Sequence, residues 1–485
     1  MYAIGIILLF FVGYLTVFNI STLTTRLERI GLAFPVGVGV ITLIMAIMDL
    51  CRIPLTGNAL ITADLIVAAA LVAGLALRKN KVMEALKRPI DINSFNFVWL
   101  LLFVFAAWVE YANFQKCVFF PTYDRDSLAA FDTLGFVAAK EHTYGGMSIF
   151  TGDYMPGIHA PGSPIAYFPL VQLAYAYVYA LGAETSKAIP ALIYLSFLVA
   201  FYAVLARTTS RTAAMAATLF VVLTPEMTSF SSLSGTNVMN AVYASLGIIY
   251  ILRWLQDDKN DCLLLGSLLL AINVWCRAEG VVFILVAVLL AAYKAFRKRM
   301  WKQSLPILLA FVPVILWQVY TRVFDMTVQS FFITHPFFDG DKAGTIFGGA
   351  WSLLANTQYY GWTFTVLLLA ILGDAWFMIK HRNSDIPKLF AIAVGIALYF
   401  LVLYHIDYRW DSIDNVLSYS AKRFMFCYVP LAWYFTATCE PVAKAMKNLT
   451  TGWQNRGRSV FPQKTENQPD NQFFKTFVSC CFSDI

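Results

Sequence analysis

The sequence predicts an all-α, polytopic membrane protein with about thirteen transmembrane helices and one large polar loop on the extracytoplasmic side. Three observations lead there. Of 485 residues, 59% are hydrophobic and only 13% are charged, whereas soluble domains carry about 25% charged residues to form a wettable surface. The apolar residues fall in separate runs of roughly 15–20, the length that crosses a bilayer. The lysines and arginines that make up the net charge of +7 cluster at the ends of those runs. That is the pattern of cytoplasmic anchoring loops rather than of a nucleic-acid surface.

Taken in order, the apolar runs are 3–19, 31–49, 59–77, 96–113, 163–182, 189–206, 212–224, 238–256, 262–276, 280–294, 304–321, 361–380, 389–405 and 423–438. The first lacks a preceding basic residue and is followed by Arg26 and Arg29, so it reads as an anchor rather than a cleavable leader. Arg78, Lys79, Lys81, Lys87 and Arg88 mark a cytoplasmic loop, as do Lys294 to Lys302 and Lys380 to Lys388. Lys444, Lys447, Arg456 and Arg458 mark a cytoplasmic tail. The run at 96–113 therefore leads outward, and 114–188 is read as an outer loop. Six runs lie between residue 114 and the second basic cluster, one too many for that cluster to face the cytoplasm. The run at 163–182 has two prolines near its start, a glutamine and four tyrosines, so it is expected to lie in the outer interface without crossing. The alternative is that a short run such as 212–224 is re-entrant. The chain thus divides into an N-terminal three-helix segment, 1–95, a membrane domain, 96–440, and a polar tail, 441–485. Eight cysteines show neither metal-ligand spacing nor a disulfide framework.

Polar residues that could carry chemistry collect in the outer connections, where a rigid scaffold positions loops for function. Tyr123-Asp124-Arg125-Asp126-Ser127 precedes an amphipathic stretch ending at Lys140. Asp124 and Asp126 can each cap that helix or serve as a general base at the bilayer surface. Asp124 is the expected base, because it comes first after the membrane helix, leaving Asp126 to cap and to pair with Arg125. Asp132 is read as solvated, and Glu110 as an interface residue. The stretch from His159 to Leu170 holds three prolines and one glycine, which fix an extended segment. Its His159 and Tyr167 are candidate substrate contacts. Glu226 lies in a Thr-Pro-Glu turn. Arg277 and Glu279, between two apolar runs, either close a turn as an ion pair or offer a guanidinium to a phosphate. Lys422 and Arg423 break the positive-inside trend, for which phosphate binding is one reason and pairing with Asp411 or Asp414 another.

No nucleotide-binding glycine motif, zinc-protease motif or Rossmann pattern is present. The order of the remaining features resembles the GT-C superfamily of polyprenyl-phosphate-dependent membrane glycosyltransferases, which includes the protein mannosyltransferases and the aminoarabinose transferase of lipid A. The features are the early acidic residue, the His/Pro/Tyr segment from His159 to Leu170, the Pro-Glu turn, the Arg-x-Glu-Gly turn and the basic opening of the last helix. They span roughly 96–440. The resemblance implies a catalytic carboxylate at Asp124 or Asp126, with Asp-Arg-Asp standing where the family has a paired Asp-Glu. It also implies a polyprenyl-phosphate-linked sugar donor and transfer to a hydroxyl of a lipid, glycan or protein acceptor. The implied location is the extracytoplasmic face of a plasma membrane, such as a bacterial inner membrane. No cofactor is called for; a divalent metal is compatible with the chemistry, but no ligand spacing indicates one. Two rivals stand beside this reading. An O-antigen polymerase or ligase would use late-loop groups such as His405 and Arg409. A transporter or flippase would show an inverted repeat, which the sequence lacks.

Overall fold

The computed structural model describes residues 1–87, 96–151, 167–326, 338–381, 385–408 and 411–445. Residues Met1–Ala443 form one compact unit. Of the second, Lys444–Ile485, only the first two residues are described. The described part is helical throughout. Ten helices are long and apolar enough to cross a membrane, which makes this an integral membrane protein.

The helices are α1 (Tyr2–Ile20), α2 (Arg26–Leu50), α3 (Gly57–Ala76), α4 (Phe97–Phe119), α5 (Thr133–Glu141), α6 (Leu170–Ala180), α7 (Ala188–Leu205), α8 (Arg211–Val222), α9 (Pro225–Ser231), α10 (Asn237–Asp257), α11 (Asn260–Cys276), α12 (Gly280–Lys298), α13 (Trp301–Val323), α14 (Gly340–Ala355), α15 (Thr363–His381) and α16 (Ile386–Tyr404). A last helical run, 413–438, passes through a π-helical turn, Val416–Ala421, and ends in α17, Tyr428–Thr438. Among the described residues, each apolar run of the sequence thus contains a helix. Three crossings are short or broken: α8 has 12 residues and meets α9 at 73°, α11 has 17 residues, and the last run changes helix type.

Polar contacts sort the bundle into two ends. At one, Glu28 is fully buried and receives Arg207 at 2.8 Å and Arg253 at 2.8 Å. Lys294 and Lys298 hold Asp258 at this end, and Lys388 holds Asp385 and the Thr438 carbonyl. At the other, Asp49 accepts from Thr143, the backbone of Tyr144 and Gly145, and Tyr320. Helices α8, α11 and the last run each join the two ends, so they cross despite their length.

Helix α6 does not cross. Its 11 residues rise about 16 Å, roughly half the ~30 Å hydrocarbon core. Asp132, before it, accepts from Tyr179 near its end at 2.7 Å and from Ser186 after it at 2.6 Å. Lys187 donates to the Phe120 carbonyl. The chain leaves at the end where it entered. Helix α6 lies against protein rather than lipid: residues 170–178 are all buried, because α5 and the N-terminal helices cover it. One expectation changes here. Asp132 is not merely solvated, but ties both ends of this dip together.

The N-terminal helices are part of the core. An added Cβ at Gly13 would fall 1.7 Å from the Ala33 carbonyl oxygen, so α1 and α2 cross backbone to backbone. In lipid, where no hydrophobic effect drives helices together, such close approach supplies the packing. Helix α14 was not foreseen. It is amphipathic rather than uniformly apolar, and lies in what the sequence reads as the loop 322–360.

Candidate functional site

Four elements at the Asp49 end of the bundle converge: the segment before α5, the start of α9, the α11–α12 turn and the last helical run. Each brings charge. Asp126 and Arg423 form an ion pair at 2.9 Å, with the arginine buried and the carboxylate 39% exposed. The same carboxylate oxygen accepts from the Tyr419 hydroxyl at 3.3 Å. Tyr419 precedes Arg423 by four residues, so one helical face carries both. Its ring lies 3.6 Å from the guanidinium carbon, and its carbonyl accepts from Arg423 Nε at 3.2 Å.

Lys422 pairs with Glu226 at 3.2 Å and lies over the rings of Tyr359 and Phe230. Arg423 also reaches Phe230, at 6.0 Å. Arg277 and Glu279 make two hydrogen bonds, Nη2 to Oε1 at 2.6 Å and Nε to Oε2 at 3.1 Å. The remaining Nη1 donates to Asn237 Oδ1 at 2.6 Å. Burial pushes the Glu279 carboxyl up, but the Arg277 charge and hydrogen bonds outweigh it and hold Glu279 below the ordinary glutamate range. Tyr167, 44% exposed, is the residue on which Arg277, Asp126, Glu279 and Arg423 all act electrostatically. Burial pushes its phenol up, and these charges modulate the shift.

Three cations and three carboxylates thus pair off one to one. An anion arriving here finds positive charge, but must displace a carboxylate to reach it.

Of the residues singled out in the sequence, the structure gathers Asp126, Tyr167, Glu226, Arg277, Glu279, Lys422 and Arg423 at this end. Asp124, on the same segment as Asp126, caps the helical start. Its Oδ2 accepts from the Ser127 amide at 3.0 Å and the Ser127 hydroxyl at 3.1 Å, which starts the helical stretch that follows. The capping expectation changes: Asp124 caps, and Asp126 is paired with Arg423 rather than Arg125. The physical reason is the turn, which spends the first carboxylate on the free amide three residues on. Arg277 closes its turn, and its fork is already filled by Glu279. His159 and Arg409 lie outside the described residues. Glu110 is buried against protein and accepts from Asn113, which in turn donates to Ser231 of α9. The sequence reading missed Tyr419, Tyr359 and Asn237. The i, i+4 spacing to Arg423 could have revealed Tyr419; the other two come from distant segments and carry no local signal. Among the described residues no three His, Cys, Asp or Glu side chains converge as a metal site.

Fold and site together define a polytopic membrane protein with a charge-paired polar cluster at one end of its helical bundle. No protein-family model matches the chain, and no curated protein matches it. Among solved structures it is similar to the archaeal oligosaccharyltransferase AglB from Archaeoglobus fulgidus in complex with an inhibitory peptide and a dolichol-phosphate, at 11% identity and a TM-score of 0.40. The match covers 80% of this chain and 53% of that one, so this chain spans about half of that protein's length.

Proposed function

We propose that the protein is a membrane glycosyltransferase that moves a sugar from a polyprenyl-phosphate donor to an acceptor hydroxyl at the extracytoplasmic face. The observation that carries this reading is the Asp126–Arg423 pair, a carboxylate that can accept a proton beside a cation that can bind a phosphate, at one end of the bundle. A donor anchored by its lipid tail delivers its phosphate to such a level and no other.

In the reaction Asp126 accepts the proton of the acceptor hydroxyl. The acceptor oxygen forms its bond to the anomeric carbon as the bond from that carbon to the phosphate oxygen breaks. The electron pair leaves on the phosphate, where Arg423 and Lys422 stabilise it. Attack in one step inverts the anomeric centre. The ion pair has to open, because base and leaving group lie on opposite sides of the sugar. Tyr167 lines the approach, Glu226 positions Lys422, and Arg277 with Glu279 holds the turn beneath. The sided basic clusters support an extracytoplasmic site in a plasma membrane.

Cells that lack the protein should accumulate a lipid-linked sugar and lose one residue from an envelope glycan, lipid or glycoprotein. Reintroducing the wild-type chain should reverse both effects. Asp126→Asn should not, since a missing general base costs on the order of 10²–10⁴-fold. Complementation by a stably expressed Asp126→Asn protein would remove Asp126 from the chemistry.

A further inference from the structure

The opening of the Asp126–Arg423 pair raises a question of order. Once Arg423 turns toward a phosphate, the carboxylate loses its strongest anchor and is free to rotate. Among the described residues, the other group on that oxygen is the Tyr419 hydroxyl. The same tyrosine touches Arg423 twice, through its ring face and its carbonyl. It stands in the π-helical turn Val416–Ala421, just before the cations. A second π-helical turn, Ser127–Asp132, begins just after Asp126. Such turns are rare and concentrate at functional sites, and here one flanks each partner of the pair.

We propose that Tyr419 is a positioning residue. Its hydroxyl keeps the Asp126 carboxylate aimed, and its ring lets the Arg423 guanidinium pivot to an anionic lipid headgroup without leaving the site. This rests on the reading of the protein as a transferase for polyprenyl-phosphate donors. The carboxylate then presents Oδ1 to the acceptor while Oδ2 stays bonded to the phenol. No proton need leave Tyr419.

The division of labour separates two variants. Tyr419→Phe keeps the ring under Arg423 and removes only the bond to Asp126. Tyr419→Leu removes both. The charged or titratable groups acting on this region are Arg423 and Tyr419 of the last run, Tyr167 beside α6, Asp124 on the same segment, and Arg277 with Glu279 across the cluster. Tyr419→Phe should therefore slow turnover without weakening binding, a split that a merely structural loss would not give.

The test uses the full-length protein in nanodiscs, with undecaprenyl phosphate as the binding probe and undecaprenol as its uncharged control. Wild type should prefer the phosphate, and Arg423→Gln should lose at least tenfold in affinity. Asp126→Asn should bind it more tightly, because the competing carboxylate is gone. Tyr419→Phe should bind as wild type does. It should turn over about tenfold more slowly, as fits one hydrogen bond to a charged group. Tyr419→Leu should also lose several-fold in affinity. Wild-type binding in Tyr419→Leu together with wild-type turnover in Tyr419→Phe would overturn the assignment alone. A wild type that does not distinguish the phosphate from the alcohol would instead overturn the donor reading on which it rests.

Discussion

Replacing Asp124 by alanine removes the side-chain acceptor for the Ser127 amide, and should lower stability by about 1 kcal/mol, as lost caps do. Thermal melts should show the loss while transfer persists. Inactive but fully stable Asp124→Ala protein would put the base back at residue 124. Two aspartates at i and i+2 were legible as a pair, but not which of them caps. Which of them caps depends on backbone angles across three residues, and composition does not set those. A pH test belongs to Glu279. Its carboxyl is held below the ordinary range, so the folded state binds fewer protons there than the unfolded chain. The contribution is complete above the unfolded glutamate value of about 4.3, and fades as pH falls below it. Wild type should therefore melt higher than Glu279→Gln at pH 7, and the gap should close toward pH 3. A gap that stays constant over that interval would show that the Arg277–Glu279 pair adds nothing.

At the scale of elements, the membrane helices were readable because a bilayer imposes one length and one chemistry on every crossing segment. Helix α14 escaped because it answers to neither rule. The non-crossing stretch was legible by parity, yet its environment was not. Four tyrosines mark an interface only when lipid surrounds them, and here Tyr175 and Tyr177 are buried by protein. Asp132 makes that dip possible by bonding both Tyr179 and Ser186. Asp132→Ala should leave two donors without their acceptor and speed hydrogen exchange in 133–141 and 170–180, while the Glu28 end stays protected. Exchange that is unchanged in both segments would mean that apolar packing alone holds the dip.

At the scale of the molecule, the sidedness inferred from basic clusters can be read directly. The natural probes are Thr185, at the cluster end, and Thr208, at the opposite end, both exposed. Single cysteines placed there in a cysteine-free background should react with a membrane-impermeant maleimide from opposite sides, Thr185→Cys from outside and Thr208→Cys only after permeabilisation. The reverse pattern would turn the bundle over and place the candidate site in the cytoplasm.

The buried Glu28 also sets a timetable. Its arginine partners lie 179 and 225 residues later in the chain. At ribosomal speeds of about 5–20 residues per second, the second partner emerges roughly 11–45 seconds after Glu28. For that interval the N-terminal hairpin carries an acidic group that its finished surroundings neutralise and its nascent surroundings do not. A chain that stalls before Arg207 therefore offers quality-control proteases an unpaired acid at the mouth of the bundle, and one that stalls between Arg207 and Arg253 leaves it half-paired.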